Sequence, residues 1–159
     1  MTHRLLLLIL AAALRVSAVE IPTFSPAEFK VRDFGARGNG RNNDTGPINA
    51  AIEKCSSSGG GTVLFPAGVY SAASIHLRTN VRLLLDAEAV IAGAADGYDQ
   101  PEPNPFDRFQ DFGHSHFHNA SLWGENIENL AIIGGCIDGG HLVEDDATPG
   151  KGDNCWFKE

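Results

Sequence analysis

Short apolar runs separated by glycine and proline fill most of the chain, and one stretch departs from that pattern. In "NDTGPINAAIEKCSSSGGG", Ile48, Ala51, Ile52 and Cys55 fall at i, i+3, i+4 and i+7, the single apolar stripe of an amphipathic helix. Asp44 or Thr45 is placed to cap it, Pro47 is tolerated in a first turn, and Ser56–Gly61 ends it. The spacing predicts a helix over residues 45–57. Before it, "FKVRDFGARGNG" reads as extended, with Phe29, Val31 and Phe34 as its apolar points. After it come "TVLF", "VY", "SIHL" and "VRLLL", short strand-like runs punctuated by turn residues.

A repeat gives these strands an arrangement. "NVRLLLDAEAVIAG" (80–93) and "NIENLAIIGGCIDG" (126–139) align without a gap, Asn80 with Asn126, Leu84 with Leu130, Ile91 with Ile137. The offset of 46 residues reads as two coils of a β-solenoid, about 23 residues each. Leu84 and Leu130 are then expected to face the interior. A stack of parallel strands leaves an open edge and an exposed core at its first coil, which the lone amphipathic helix is suited to cap. Residues 94–112, with "QPEPNPFDRF" and no periodicity, read as a long loop projecting from one coil.

The first 18 residues belong to a different pattern. "MTHRLLLLILAAALRVSA" has a basic start, an apolar run and small residues at its end, the form of a secretory signal cleaved after Ala18. Its ten apolar residues are too few to span a bilayer. Residues 19–159 would then be the secreted part, extracellular or periplasmic. Loss of residues 1–18 would remove Arg4 and Arg15 and no acid, leaving ten basic against twenty acidic residues. With no basic stripe and a net charge of −8 even before that loss, nucleic acid is excluded as a partner. Cys55, Cys136 and Cys155 lack metal-knuckle spacing and allow at most one bridge, whose pairing stays open. Asn43-Asp44-Thr45 and Asn119-Ala120-Ser121 are glycosylation sequons in a host that uses them.

Taken together, "VRDFGARGNGRNNDTGPINAAIEKC", "GGGTVLFPAGVY", "SIHLRTNVRLLLDAEAVI" and "NIENLAIIGGCIDG" resemble the N-terminal portion of the family 28 glycoside hydrolases. These are polygalacturonase-like enzymes of the pectin lyase-like superfamily. The resemblance covers residues 31–159 and implies an all-β fold, a right-handed parallel β-helix (solenoid) with a capping α-helix over its N-terminal coils. It further implies a secreted, inverting hydrolase of pectic or related polysaccharide that needs no cofactor. Inversion uses carboxyl groups roughly 6.5–9.5 Å apart, leaving room for the attacking water. The family's Asn-Thr-Asp, Asp-Asp, Gly-His-Gly and Arg-x-Lys motifs do not stand in this sequence. Asn43-Asp44-Thr45 has the letters in another order, Asp145-Asp146 lies in a polar loop, and Gly140-His141-Leu142 lacks the second glycine. The stretch therefore contains no catalytic residue, and the catalytic aspartates are expected beyond residue 159, as in a chain cut before its catalytic coils. A calcium-dependent polysaccharide lyase, or a non-catalytic β-helix of the adhesin or tailspike kind, would share the same start. The acidic group Glu144, Asp145, Asp146 and Asp153 has no calcium-loop spacing and reads as solvated.

"GHSHFHN" is the remaining chemistry. His114, His116 and His118 alternate, so an extended strand would present all three on one face. Three imidazoles suit zinc, hydrogen bonds to sugar hydroxyls beside a stacking Trp123, or anchoring of the adjoining loop. The assignment carried forward is substrate binding by His114, His116 and Trp123, with no metal. The expected partner is a polysaccharide, with no membrane association once the signal is removed.

Overall fold

The computed structural model describes residues 22–103 and 118–139. The proposed signal segment, His114 and His116, and the Asp145-Asp146 loop lie outside the described residues. Among these residues no helix is long and apolar enough to cross a membrane.

The chain runs through β1 (Glu28–Lys30), a 3-10 turn (Val31–Phe34), β2 (Asn39–Asn43), α1 (Thr45–Ser57), β3 (Gly61–Phe65), β4 (Gly68–Ala72) and β5 (Ile75–His76). It continues through β6 (Val81–Leu85), β7 (Ala89–Gly93), β8 (Leu122–Trp123), β9 (Ala131–Ile133) and β10 (Cys136–Asp138). All pairings are parallel. One sheet has the order β1-β3-β6-β9, a second β10-β7-β4-β2, and a third pairs β5 with β8. Successive circuits of the chain thus add strands to the same sheets in the same order.

The interior follows from strand alternation. Val63 and Leu83 stack as register partners with Phe29 on one side and Ile132 on the other, while Tyr70 stacks on Ile91 and Ile91 on Ile137. Phe65 meets Tyr70 edge-on, centroids 5.5 Å apart, and joins the two larger sheets. Helix α1 spans the residues its stripe predicts, and Ile48, Ala51, Ile52 and Cys55 are all buried. It lies against β1, β3, β5 and β6. Each fully buried isoleucine contributes about 1.5–3 kcal/mol.

Three expectations are corrected. Leu84 does not face the interior: in "VRLLL" Val81, Leu83 and Leu85 are buried and Leu84 alternates outward beside Leu64. Leu130 is partly buried against the core. The gapless repeat is also displaced. In one sheet Arg82 pairs with Ala131 and Leu84 with Ile133, so Asn80 stands over Asn129 and not Asn126. In the other sheet Val90 pairs with Cys136, the original offset. The difference is absorbed where Gly134 and Gly135, both at positive φ (76° and 57°), make a tighter turn than Asp86–Glu88 does. The repeat therefore spans one circuit containing a long excursion, not two of equal length. The circuit without an excursion is shorter than expected, since Gly61 pairs with Val81, twenty residues on.

Neither proposed cap acts through its side chain on α1. The Asp44 carboxylate is buried and instead accepts the backbone N–H groups of Arg37 and Gly38 at 2.8 and 2.9 Å. Thr45 Oγ1 accepts from the Ala73 N–H at 2.7 Å. Asn43-Asp44-Thr45 is thus a structural junction between the loop before β2, α1 and the end of β4.

Candidate functional site

Ser74 precedes Ile75-His76 of β5 and Ser121 precedes Leu122-Trp123 of β8, and the pairing sets Ile75 beside Leu122 and His76 beside Trp123. β7 ends at Gly93 and β8 begins at Leu122, and of the residues between them the described ones, 94–103 and 118–121, lie outside the sheets. Both described limbs of this excursion return to the β5–β8 pair.

The outgoing limb delivers Asp99. Its Oδ2 accepts from His76 Nε2 at 2.6 Å and from Trp123 Nε1 at 2.8 Å. Its backbone N–H donates to Ser74 Oγ at 3.0 Å, and that hydroxyl donates to the Ala120 carbonyl on the returning limb at 2.9 Å. Asn49 of α1 fixes β5 from behind, accepting from the His76 N–H and donating to the Ser74 carbonyl. Burial pushes the Asp99 carboxyl upward. The hydrogen bonds from His76 and Trp123 and the charges of His76 and His118 outweigh that, so Asp99 titrates below its ordinary value of 3.8.

The returning limb contributes His118, whose ring stacks on Trp123 with centroids 4.0 Å apart and planes 25° off parallel. Its Nε2 meets Glu125 Oε1 at 2.8 Å, and its backbone N–H donates to Glu102 of the outgoing limb at 2.9 Å. His76 packs tilted on the same indole at 4.9 Å. Trp123 therefore contacts two imidazoles, with its N–H on a carboxylate. Of the alternating histidines, the described one, His118, joins the excursion to the sheet. Among the described residues no group of three ligating side chains is placed to hold a metal ion.

Sequence reasoning picked out Trp123 but missed His76, Asp99, Glu102 and Glu125. Asp99 and Glu102 stand in an aperiodic stretch, where spacing carries no information. The similarity of Ser74-Ile75-His76 to Ser121-Leu122-Trp123 was a usable signal, since it marks the strands that the excursion separates.

Parallel sheets fed in turn by successive circuits, with an excursion fastened to the smallest sheet, define a pectate lyase-like protein. The chain belongs to the "Rhamnogalacturonase A/epimerase, pectate lyase-like" family, whose model matches residues 28–132. Among solved structures it is similar to a hyperthermoactive exopolygalacturonase from Thermotoga maritima, with 28% identity and a TM-score of 0.57 over 76% of this chain and 26% of that one. It is also similar to the A-module of mannuronan C-5 epimerase AlgE6 from Azotobacter vinelandii, with 28% identity and a TM-score of 0.53 over 70% of this chain and 28% of that one. By sequence it is 31% identical over 139 residues to mannuronan C5-epimerase AlgE5 of the same organism, which covers 82% of this chain. The chain spans only 12% of that epimerase's length.

Proposed function

We propose that this chain is the N-terminal part of a secreted polysaccharide-acting enzyme of polygalacturonase type, hydrolysing glycosidic bonds of pectic or related acidic glycans. The observation that carries the reading is the fold match to the exopolygalacturonase across 76% of the chain, beside the family model that matches residues 28–132. In this reading the parallel sheets continue as a right-handed β-helix and α1 caps the first circuit. The catalytic aspartates in this reading stand on circuits beyond residue 159, because the Asn-Thr-Asp and Gly-His-Gly motifs do not stand in this sequence. His114, His116 and Trp123 contact the glycan in this reading.

A second reading is favoured by the epimerase similarity, which extends over 82% of the chain. Epimerisation and β-elimination both begin by removing the proton beside the uronate carboxylate, and neither adds water across the glycosidic bond. One set of incubations separates the three chemistries. The full-length protein is given polygalacturonate and mannuronan, and reducing ends, unsaturated uronate and backbone stereochemistry are followed. New reducing ends without unsaturation support hydrolysis. Unsaturated ends would replace it by elimination, and inverted residues in uncut chains by epimerisation. Residues 1–159 alone should release no reducing ends from polygalacturonate. Release that vanishes on mutating Asp145 or Asp146 would overturn the placement of the catalytic groups.

A further inference from the structure

His76 and Trp123 are register partners on paired strands, and their ring N–H groups converge on one oxygen. Two fixed donors aimed at a single carboxylate oxygen make a receptor for an anion. The strands hold the donors in place, whereas the carboxylate that fills them comes from the excursion.

Two features distinguish this arrangement from a permanent structural pair. The side chains of His76 and Asp99 are 30% and 35% exposed, so the pair borders solvent. The main chain of Asp99 is held independently, through its N–H to Ser74 Oγ. Its carboxylate can therefore rotate away about the side-chain torsions while the limb stays docked. His118, stacked on the indole, adds positive charge when protonated, although its own nitrogens are directed to Glu125 and Glu102.

We infer that the His76–Trp123 pair is a subsite for the carboxylate of a uronate residue, and that Asp99 occupies it as an internal substitute which the incoming sugar displaces. The choice of a uronate rests on the acidic-polysaccharide reading above. The receptor itself rests on the two converging donors. No covalent step is involved: one carboxylate replaces another on the same two N–H groups. A tethered competitor lowers the apparent affinity of the free ligand, because it is present at high effective concentration.

Asp99→Ala in the full chain empties the receptor. The probes are acetate, galacturonate, mannuronate and uncharged galactose. The readouts are the Trp123 indole N–H resonance and the melting temperature. Acetate and both uronates should shift the indole resonance and raise the melting temperature of Asp99→Ala, with an apparent Kd at least about tenfold below that of the unaltered protein. Galactose should do neither. Adding Trp123→Phe, which keeps a ring but removes the donor, should abolish the melting response. If Asp99→Ala does not fold, Asp99→Asn keeps the volume without the charge and should show the same order of ligands. A folded variant that ignores all three carboxylates, or answers acetate but neither uronate, overturns the proposal. Uronate binding by a protein inert toward every acidic polysaccharide would leave the subsite standing and overturn the reading of function instead.

Discussion

Asn129 Nδ2 donates to Asn80 Oδ1 at 2.9 Å, although the two residues lie one full circuit apart. Both are non-glycine residues in the left-handed region, at φ 54° and 62°. The same Asn129 amide donates to the carbonyl of Thr23, so it also ties the N-terminal segment to the corner before β9, the fourth strand of its sheet. Asparagine suits this corner twice: it tolerates left-handed backbone better than other side chains, and its amide can donate to one neighbour while accepting from another.

The ladder predicts coupling. Asn80→Ala and Asn129→Ala should each destabilise the protein by about 1–2 kcal/mol, from the lost bond and the left-handed backbone together. In a double-mutant cycle followed by urea denaturation, the coupling should be about 0.5–1 kcal/mol. Simple additivity would mean that the amides do not interact in solution.

The same corner explains what the sequence did and did not disclose. Helix α1 was legible residue for residue, because its apolar stripe is local and unbroken. The parallel strands were legible as runs, but their inward parity was hidden in Leu83-Leu84-Leu85, where three identical side chains carry no alternation. The vertical register was hidden by two asparagines three positions apart, Asn126 and Asn129, both left-handed and both plausible partners for Asn80. Only the tighter glycine turn at 134–135 decides between them, and its shortening is a three-dimensional fact. The β5–β8 site was the least legible, since it joins residues separated by an aperiodic excursion.

Gly59 and Gly60 offer a test of the stack with an internal control. Their φ angles are 94° and 92°, so an alanine at either position pays a similar backbone strain of about 1–2 kcal/mol. A Cβ at Gly59 meets nothing within 4 Å, whereas one at Gly60 would lie 2.4 Å from the Asn80 carbonyl oxygen. Gly60→Ala should therefore lose about 1–3 kcal/mol more than Gly59→Ala in thermal or urea unfolding. Equal losses would mean that the circuits do not stack at this corner.

Cys55 is a buried free thiol on α1, and burial raises its pKa. Little thiolate is available in the native state, and no reagent reaches it without opening of the helix. Modification of Cys55, followed on its own peptide by mass spectrometry, should be slow in buffer. It should accelerate in urea in parallel with global unfolding. Rapid labelling under native conditions would show that α1 detaches on its own.

The Asp99 clasp sets a direction for stability against pH. Asp99 titrates below its ordinary value of 3.8 because the bonds from His76 and Trp123 and the charges of His76 and His118 outweigh the effect of burial. A carboxylate with a depressed folded pKa stabilises the native state fully above its unfolded value. That contribution is lost as pH falls through the lower, folded value. The groups facing Asp99 are the His76 ring from β5, the Trp123 indole from β8 and the Ser74 hydroxyl at its backbone N–H, with the His118 ring acting on it through its charge. Asp99→Asn retains most of the shape and removes the titration. The stability difference between the unaltered protein and Asp99→Asn, measured by urea unfolding, should favour the aspartate at about pH 5. Below about pH 4 it should shrink, as the unfolded and then the folded carboxylate take up a proton. A difference that persists unchanged through this acid range would show that the Asp99 charge does not hold the excursion to β5 and β8.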